Sequence, residues 1–111
     1  MQALSVAVFL TLLFQEPYPV GNGVSAPVVI SHQEPAYTQQ AKDAHVEGQV
    51  MLSIVVDNQG VPTQITVTKS LEPSLDASAV TAVEGWRFKP GMKDGQPVPV
   101  KATLVVNFKL L

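Results

Sequence analysis

Cysteine is absent from this sequence, and histidine occurs only twice among its 111 residues, as His32 and His45. Without cysteine, neither a disulfide framework nor a thiolate metal site can form. The two histidines lie in different segments and show neither the HxH nor the HxxxH spacing of metal ligands. We therefore expect no bound metal ion.

The patterns that catalysis and cofactor binding require are also missing. No glycine-rich phosphate loop or dinucleotide fingerprint is present. The acidic residues are scattered over expected turns and helix ends, and no serine has a histidine partner with an orienting carboxylate. The sequence predicts a protein that is not an enzyme and that binds no cofactor.

Charged residues are scarce, at 14%, and they are unevenly distributed around a net charge of -2. Residues 1–86 hold two lysines against eight acids, whereas residues 87–111 hold five basic residues against Asp94. This basic end is consistent with an anionic partner, or with lysines that discourage an edge strand from pairing with itself. It contains no dense basic run and no pattern of stacking aromatics, so nucleic acid is not an expected partner.

Hydrophobic residues make up 46% of the chain, enough for one small folded domain. The apolar run Ala3–Phe14 is too short for a membrane-spanning helix, which needs about 20 residues, but it fits the core of a signal peptide. Val24-Ser25-Ala26 resembles a small-x-small cleavage site. We expect a leader and linker over residues 1–26, export to the periplasm or cell envelope, and a folded domain over residues 27–111.

The first half of that domain predicts a helix followed by a β-hairpin. Thr38–His45 is rich in helix formers, with Thr38 as the N-cap and Gly48 just past the C-terminal end. Gly48–Val56 alternates apolar residues on one face, as a half-buried strand does. Asp57–Gly60 is a turn, and the next strand should bury Val61, Thr63, Ile65 and Val67 on one face.

The second half predicts another helix and a long final strand. Ser74 is the expected cap of a helix whose apolar stripe comprises Leu75, Ala79, Ala82, Val83 and Trp86. Pro90 stops the helix, and Val98–Leu110 alternates as a strand that Pro99 assigns to a sheet edge, at least near its start. The fold class is therefore α+β, a three-stranded antiparallel sheet with two helices packed on one face.

Several motifs in this order make the sequence similar to a known family. They are Pro35-Ala36-Tyr37, Gly48, Asp57-x-x-Gly60, Leu75-Asp76, Trp86-Arg87-Phe88-Lys89-Pro90, Gly95-x-x-Val98-x-Val100 and Phe108. Over residues 27–111 the chain resembles the C-terminal domain of TonB-type energy transducers. We expect Trp86, Phe88 and Tyr37 to pack in or near the core, and Arg87 and Lys89 to point outward.

The resemblance implies that the last strand accepts an extended segment, the TonB box, of an outer-membrane TonB-dependent receptor. The residues expected at this edge are Val100, Lys101, Ala102, Thr103, Leu104, Val105, Val106, Asn107 and Lys109. The implied role is a contribution to energy-dependent transport across the outer membrane, and coupling to an inner-membrane motor complex stays open.

Two other hypotheses remain at this point. The domain could serve as an envelope assembly module that uses the same edge for homodimerisation or docking, without energy transduction. Alternatively, the chain could be part of a longer transducer.

Overall fold

A computed structural model describes residues 17–111, and the apolar run Ala3–Phe14 with its export prediction lies outside that range. The elements are β1 (Tyr18–Pro19), β2 (Val28–Ser31), α1 (Gln39–Asp43), β3 (Gly48–Val56), β4 (Pro62–Lys69), α2 (Pro73–Glu84), β5 (Arg87–Lys89), β6 (Gly91–Lys93), β7 (Gln96–Val98) and β8 (Val100–Phe108).

The main sheet has the strand order β1-β8-β3-β4. Strand β3 is antiparallel to both β4 and β8, and its register with β8 runs unbroken from Gly48 opposite Phe108 to Val56 opposite Val100. The predicted three-stranded sheet is therefore present, and the short parallel strand β1 adds a fourth. Strands β2 and β5 form a separate antiparallel pair, as do β6 and β7.

One face of this sheet carries the core. The alternation predicted for β3 is confirmed, since Val50, Leu52, Ile54 and Val56 are fully buried. Leu75, Ala79 and Val83 of α2 are buried in the same cluster. Burying a side chain of this size stabilises the fold by about 1.5–3 kcal/mol. The α+β class with helices packed on the sheet is confirmed.

Strand β4 departs from the expected regular alternation. Its register against β3 shifts twice, and Gln64 adopts a left-handed backbone, with φ +49°. Val67, predicted on the buried face, is exposed. The irregular ladder is supplemented by hydroxyls of Thr63, Thr66 and Thr68, which donate to the carbonyls of Val55, Ser53 and Met51 at 2.9, 3.4 and 3.2 Å.

The helix ends match the predictions in part. Thr38 caps α1 by accepting from the Ala41 N–H, as expected. The prediction of Ser74 as the cap of α2 is wrong, because Glu72 accepts from the Leu75 N–H and Pro73 occupies the first helical position. Proline suits that position, where its missing N–H has no helical partner to lose.

The predicted C-cap of α1 is also displaced. The helix ends at Asp43, and His45 takes the left-handed backbone, with φ +54°. The His45 and Val46 N–H groups donate to carbonyls of the last turn, at Lys42 and Ala41. Gly48 is instead the first residue of β3.

Candidate peptide-binding edge

Strand β8 is paired completely on one side and only briefly on the other. Strand β1 covers its start, where Tyr18 pairs with Val100 and Pro19 with Lys101. Among residues 17–111, no strand pairs with this side of β8 from Ala102 to Phe108. We call this stretch, Ala102–Phe108, the open edge.

The orientation of the backbone follows from one hydrogen bond. The Tyr18 N–H donates to the Pro99 carbonyl at 3.0 Å, so this carbonyl points toward β1 and away from β3. Backbone direction alternates along a strand. The N–H and C=O groups of Thr103, Val105 and Asn107 therefore point out of the open edge.

The predicted site residues lie together, but they do not all have the same surroundings. Eight of the nine belong to β8, and Lys109 follows its last residue. Val100 and Lys101 are the two that β1 pairs with. The expectation that the strand lies at a sheet edge near Pro99 is wrong, because β1 pairs with the start of β8. Pro99 is compatible with this pairing, since its carbonyl accepts a hydrogen bond from β1 and its missing N–H is not required.

Two grooves border the open edge. The first has a volume of about 510 Å³ and lies beside Lys101–Leu104. Its other lining residues are Pro19, Val20, Ala26, Pro27, Val29 and Phe88. The second, of about 220 Å³, lies beside Val105–Asn107 and is bounded by His32–Pro35 and Trp86. The open edge therefore adjoins recessed surface along most of its length.

Contacts of β5 hold the far wall of these grooves in place. Phe88 is buried, as predicted, and its N–H donates to the Gly60 carbonyl at 2.9 Å. Trp86 is half-buried against the core, and its Nε1 donates to the Gln33 carbonyl at 2.9 Å. Between them Arg87 is exposed, as expected for the alternation.

The lysines near the edge are available to an anionic partner. Lys101 and Lys109 are exposed, and within residues 17–111 the only close contact between a basic side chain and a carboxylate joins His32 to Glu34 at 3.7 Å. Lys93 lies with its Nζ 4.5 Å from the centre of the Tyr18 ring, a cation–π contact that ties β1 to the β6–β7 hairpin.

Tyr37 has the packing role that was predicted. Its hydroxyl donates to the Val46 carbonyl, and its ring meets Phe108 edge-on with centroids 5.5 Å apart. Desolvation by its surroundings, and then the nearby Glu47 carboxylate, raise the pKa of Tyr37 above its ordinary value. These contacts tie the start of α1 to the end of β8.

Within the described part of the chain, no group of three histidine or acidic side chains could hold a metal ion. No helix in residues 17–111 is both long enough and apolar enough to cross a membrane.

Comparison with known proteins identifies the family. The model of the family described as Gram-negative bacterial TonB protein C-terminal matches residues 33–110. The chain belongs to the TonB C-terminal family. This confirms the resemblance, and it confirms the prediction that the chain is not an enzyme.

Relatives from several bacteria support this membership. Protein TonB of Vibrio cholerae is 36% identical over 90 residues, which cover 78% of this chain and 36% of that protein. Protein TonB of Xanthomonas campestris pv. campestris is 34% identical over 93 residues, covering 80% and 42% respectively. The chain thus matches about two fifths of the length of these relatives.

A solved structure supports the fold. The solution structure of the Pseudomonas aeruginosa TonB C-terminal domain superposes with a TM-score of 0.63 at 24% identity. The alignment covers 81% of this chain and 89% of that one.

Proposed function

We propose that this TonB C-terminal domain acts in the periplasm, where it binds an extended segment of an outer-membrane receptor by β-strand addition. The role is a contribution to energy-dependent transport across the outer membrane. The observation that carries the proposal is the open edge Ala102–Phe108, with outward backbone groups at Thr103, Val105 and Asn107.

Strand addition suits this edge on energetic grounds. Each of the three outward residues offers one N–H donor and one C=O acceptor. A backbone hydrogen bond contributes roughly 0.5–1.5 kcal/mol net of its exchange with water. Six such bonds amount to about 3–9 kcal/mol, and the cost of ordering the peptide is subtracted from this sum. Backbone pairing alone therefore gives an affinity no tighter than about micromolar. A weak and reversible complex is appropriate for transient coupling to a receptor.

The test is a pull-down from detergent-solubilised bacterial envelope, with the full chain as bait and mass spectrometry as the readout. The edge variant is Thr103→Pro with Val105→Pro. It removes two outward N–H groups and no bond to β3, so the sheet should persist. The matched control, Thr103→Val with Val105→Thr, changes the same side chains and keeps both donors.

The proposal predicts plugged β-barrel receptors with the wild-type and control baits, and their loss with the proline bait. Equal recovery by all three baits would show that the edge is not the binding site. Thermal melting of each bait establishes that the variants are folded.

A second candidate function is assembly, in which the same edge pairs with another copy or docks a soluble envelope protein. The exposed apolar residues Val28 and Ile30 on β2, near this edge, favour it. One feature opposes self-pairing. In an antiparallel pairing of two copies centred on Val105, Lys101 of one copy would stand opposite Lys109 of the other, and like charges in that position are destabilising. Recovery of only the bait itself or of soluble proteins would support assembly.

A further inference from the structure

Two residues on the core face of β8 lack the cover that their neighbours have. Val100, Val106 and Phe108 point into the core and are buried. Ala102 and Leu104 lie on the same face, yet they are only half-buried. The larger groove lies directly beside them, so apolar surface of the strand is exposed at this point.

The lining of that groove is apolar on its remaining sides. Pro19 and Val20 close one end, Val29 stands on the far wall, and Phe88 contributes from β5. Val20 and Val29 are 51% and 39% exposed. Residues 17–32 precede the part of the chain that the family model matches.

The backbone identifies the kind of occupant. The N–H and C=O groups of Thr103 point out of the edge beside this groove. A compact ligand has no backbone that could pair with both of them. An extended peptide satisfies them and places alternate side chains on the core face. Lys101, which also lines the groove, favours an acidic residue in the same peptide.

We infer that Pro19, Val20, Pro27 and Val29 form a side-chain subsite with the open edge. This subsite selects an extended peptide bearing an apolar residue opposite Ala102 and Leu104. This inference rests on the proposed function, and it adds the specificity that backbone bonds alone do not supply. Covering one valine-sized side chain in this groove corresponds to about tenfold in affinity.

The test measures binding of two synthetic peptides to the full chain by isothermal titration calorimetry. Both have the sequence Asp-Thr-X-Thr-X-Thr-Asp with blocked ends, and X is valine in one and serine in the other. The groove variant is Val20→Ser with Val29→Ser. The matched control is Val28→Ser with Ile30→Ser, which changes side chains that are 56% and 68% exposed and do not line the groove.

We expect the valine peptide to bind the wild type and the control about tenfold more tightly than the serine peptide. In the groove variant this preference should fall to about twofold, with the affinity for the serine peptide unchanged. Equal binding of the two peptides to the wild type, or an undiminished preference in the groove variant, overturns the subsite and leaves strand addition standing. Failure of both peptides to bind the wild type overturns strand addition and the subsite together.

Discussion

Replacement of Gly60 by alanine should destabilise this domain severely, because the residue is constrained in two independent ways. Its φ of +84° lies in the left-handed region, where a residue with a side chain is disfavoured by about 1–2 kcal/mol. A Cβ at this position would also lie 1.9 Å from the Phe88 carbonyl oxygen, a backbone atom that cannot rotate away.

Relieving that overlap requires the turn and β5 to separate, which costs about 1–3 kcal/mol by analogy with overpacked cores. The two effects together give a loss of roughly 2–5 kcal/mol. Domains of this size have a free energy of unfolding of about 5–15 kcal/mol. We therefore expect the melting temperature of Gly60→Ala to fall by at least about 10 °C.

Gly95→Ala separates the two causes. Gly95 has a similar φ of +76°, but a Cβ there would have no neighbour within 4 Å. It should lose only the backbone contribution, about 1–2 kcal/mol. The assay is urea unfolding followed by fluorescence of Trp86, the only tryptophan in the chain. Equal losses in the two variants would refute the idea that close approach to Phe88 constrains Gly60.

Three further predictions concern charge and pH. Lys101→Glu with Lys109→Glu should weaken binding of the acidic valine peptide at low salt and reduce the salt dependence of binding, because both side chains are exposed beside the edge. Unchanged affinity would exclude an electrostatic role of these lysines. Asp76 is partly desolvated, which raises its pKa, but hydrogen bonds from Ser70 and the Leu71 and Glu72 N–H groups outweigh this, and the net pKa is lowered. Its contribution is therefore present above about pH 4 and is lost as the pH falls through the lowered value, so Asp76→Asn should flatten the acid side of a plot of unfolding free energy against pH. The pKa of Tyr37 is raised, so its contribution is present below about pH 10 and is lost as the pH rises further. Tyr37→Phe should remove part of that alkaline loss, and an identical alkaline profile would contradict it.

Much of the fold was predictable because the long elements have strong local patterns. The alternation in β3 correctly indicated its buried residues. The alternation in β8 and the apolar stripe of α2 indicated most of theirs, although Ala102, Leu104 and Trp86 are only half-buried. The turn after β3 was equally clear, and the Asp57 carboxylate accepts from the Gln59 and Val61 N–H groups, both at 2.9 Å. Each of these features depends on residues only a few positions apart.

The errors occurred where distant contacts decide the local structure. The register of β4 against β3 shifts twice, and the Thr63 hydroxyl donates across this irregular ladder to the Val55 carbonyl. The last part of the expected leader and linker is interrupted by proline and glycine, which gave no sign of regular structure. In the structure Tyr18–Pro19 pairs with β8, and Val24 is buried against Val98 and Val100. A two-residue parallel pairing has no sequence period that could have predicted it.

The sequence by itself therefore determined the two helices, strands β3 and β8 and most of the core, because alternating or helically spaced apolar residues are a local pattern. Through the family resemblance, it also predicts that the peptide-binding site lies on β8. Only the tertiary structure decided which part of that strand is open. That depends on β1 reaching the start of β8 from 82 residues earlier in the chain, at Tyr18 opposite Val100, and on β2 and β5 forming a wall beside the remainder.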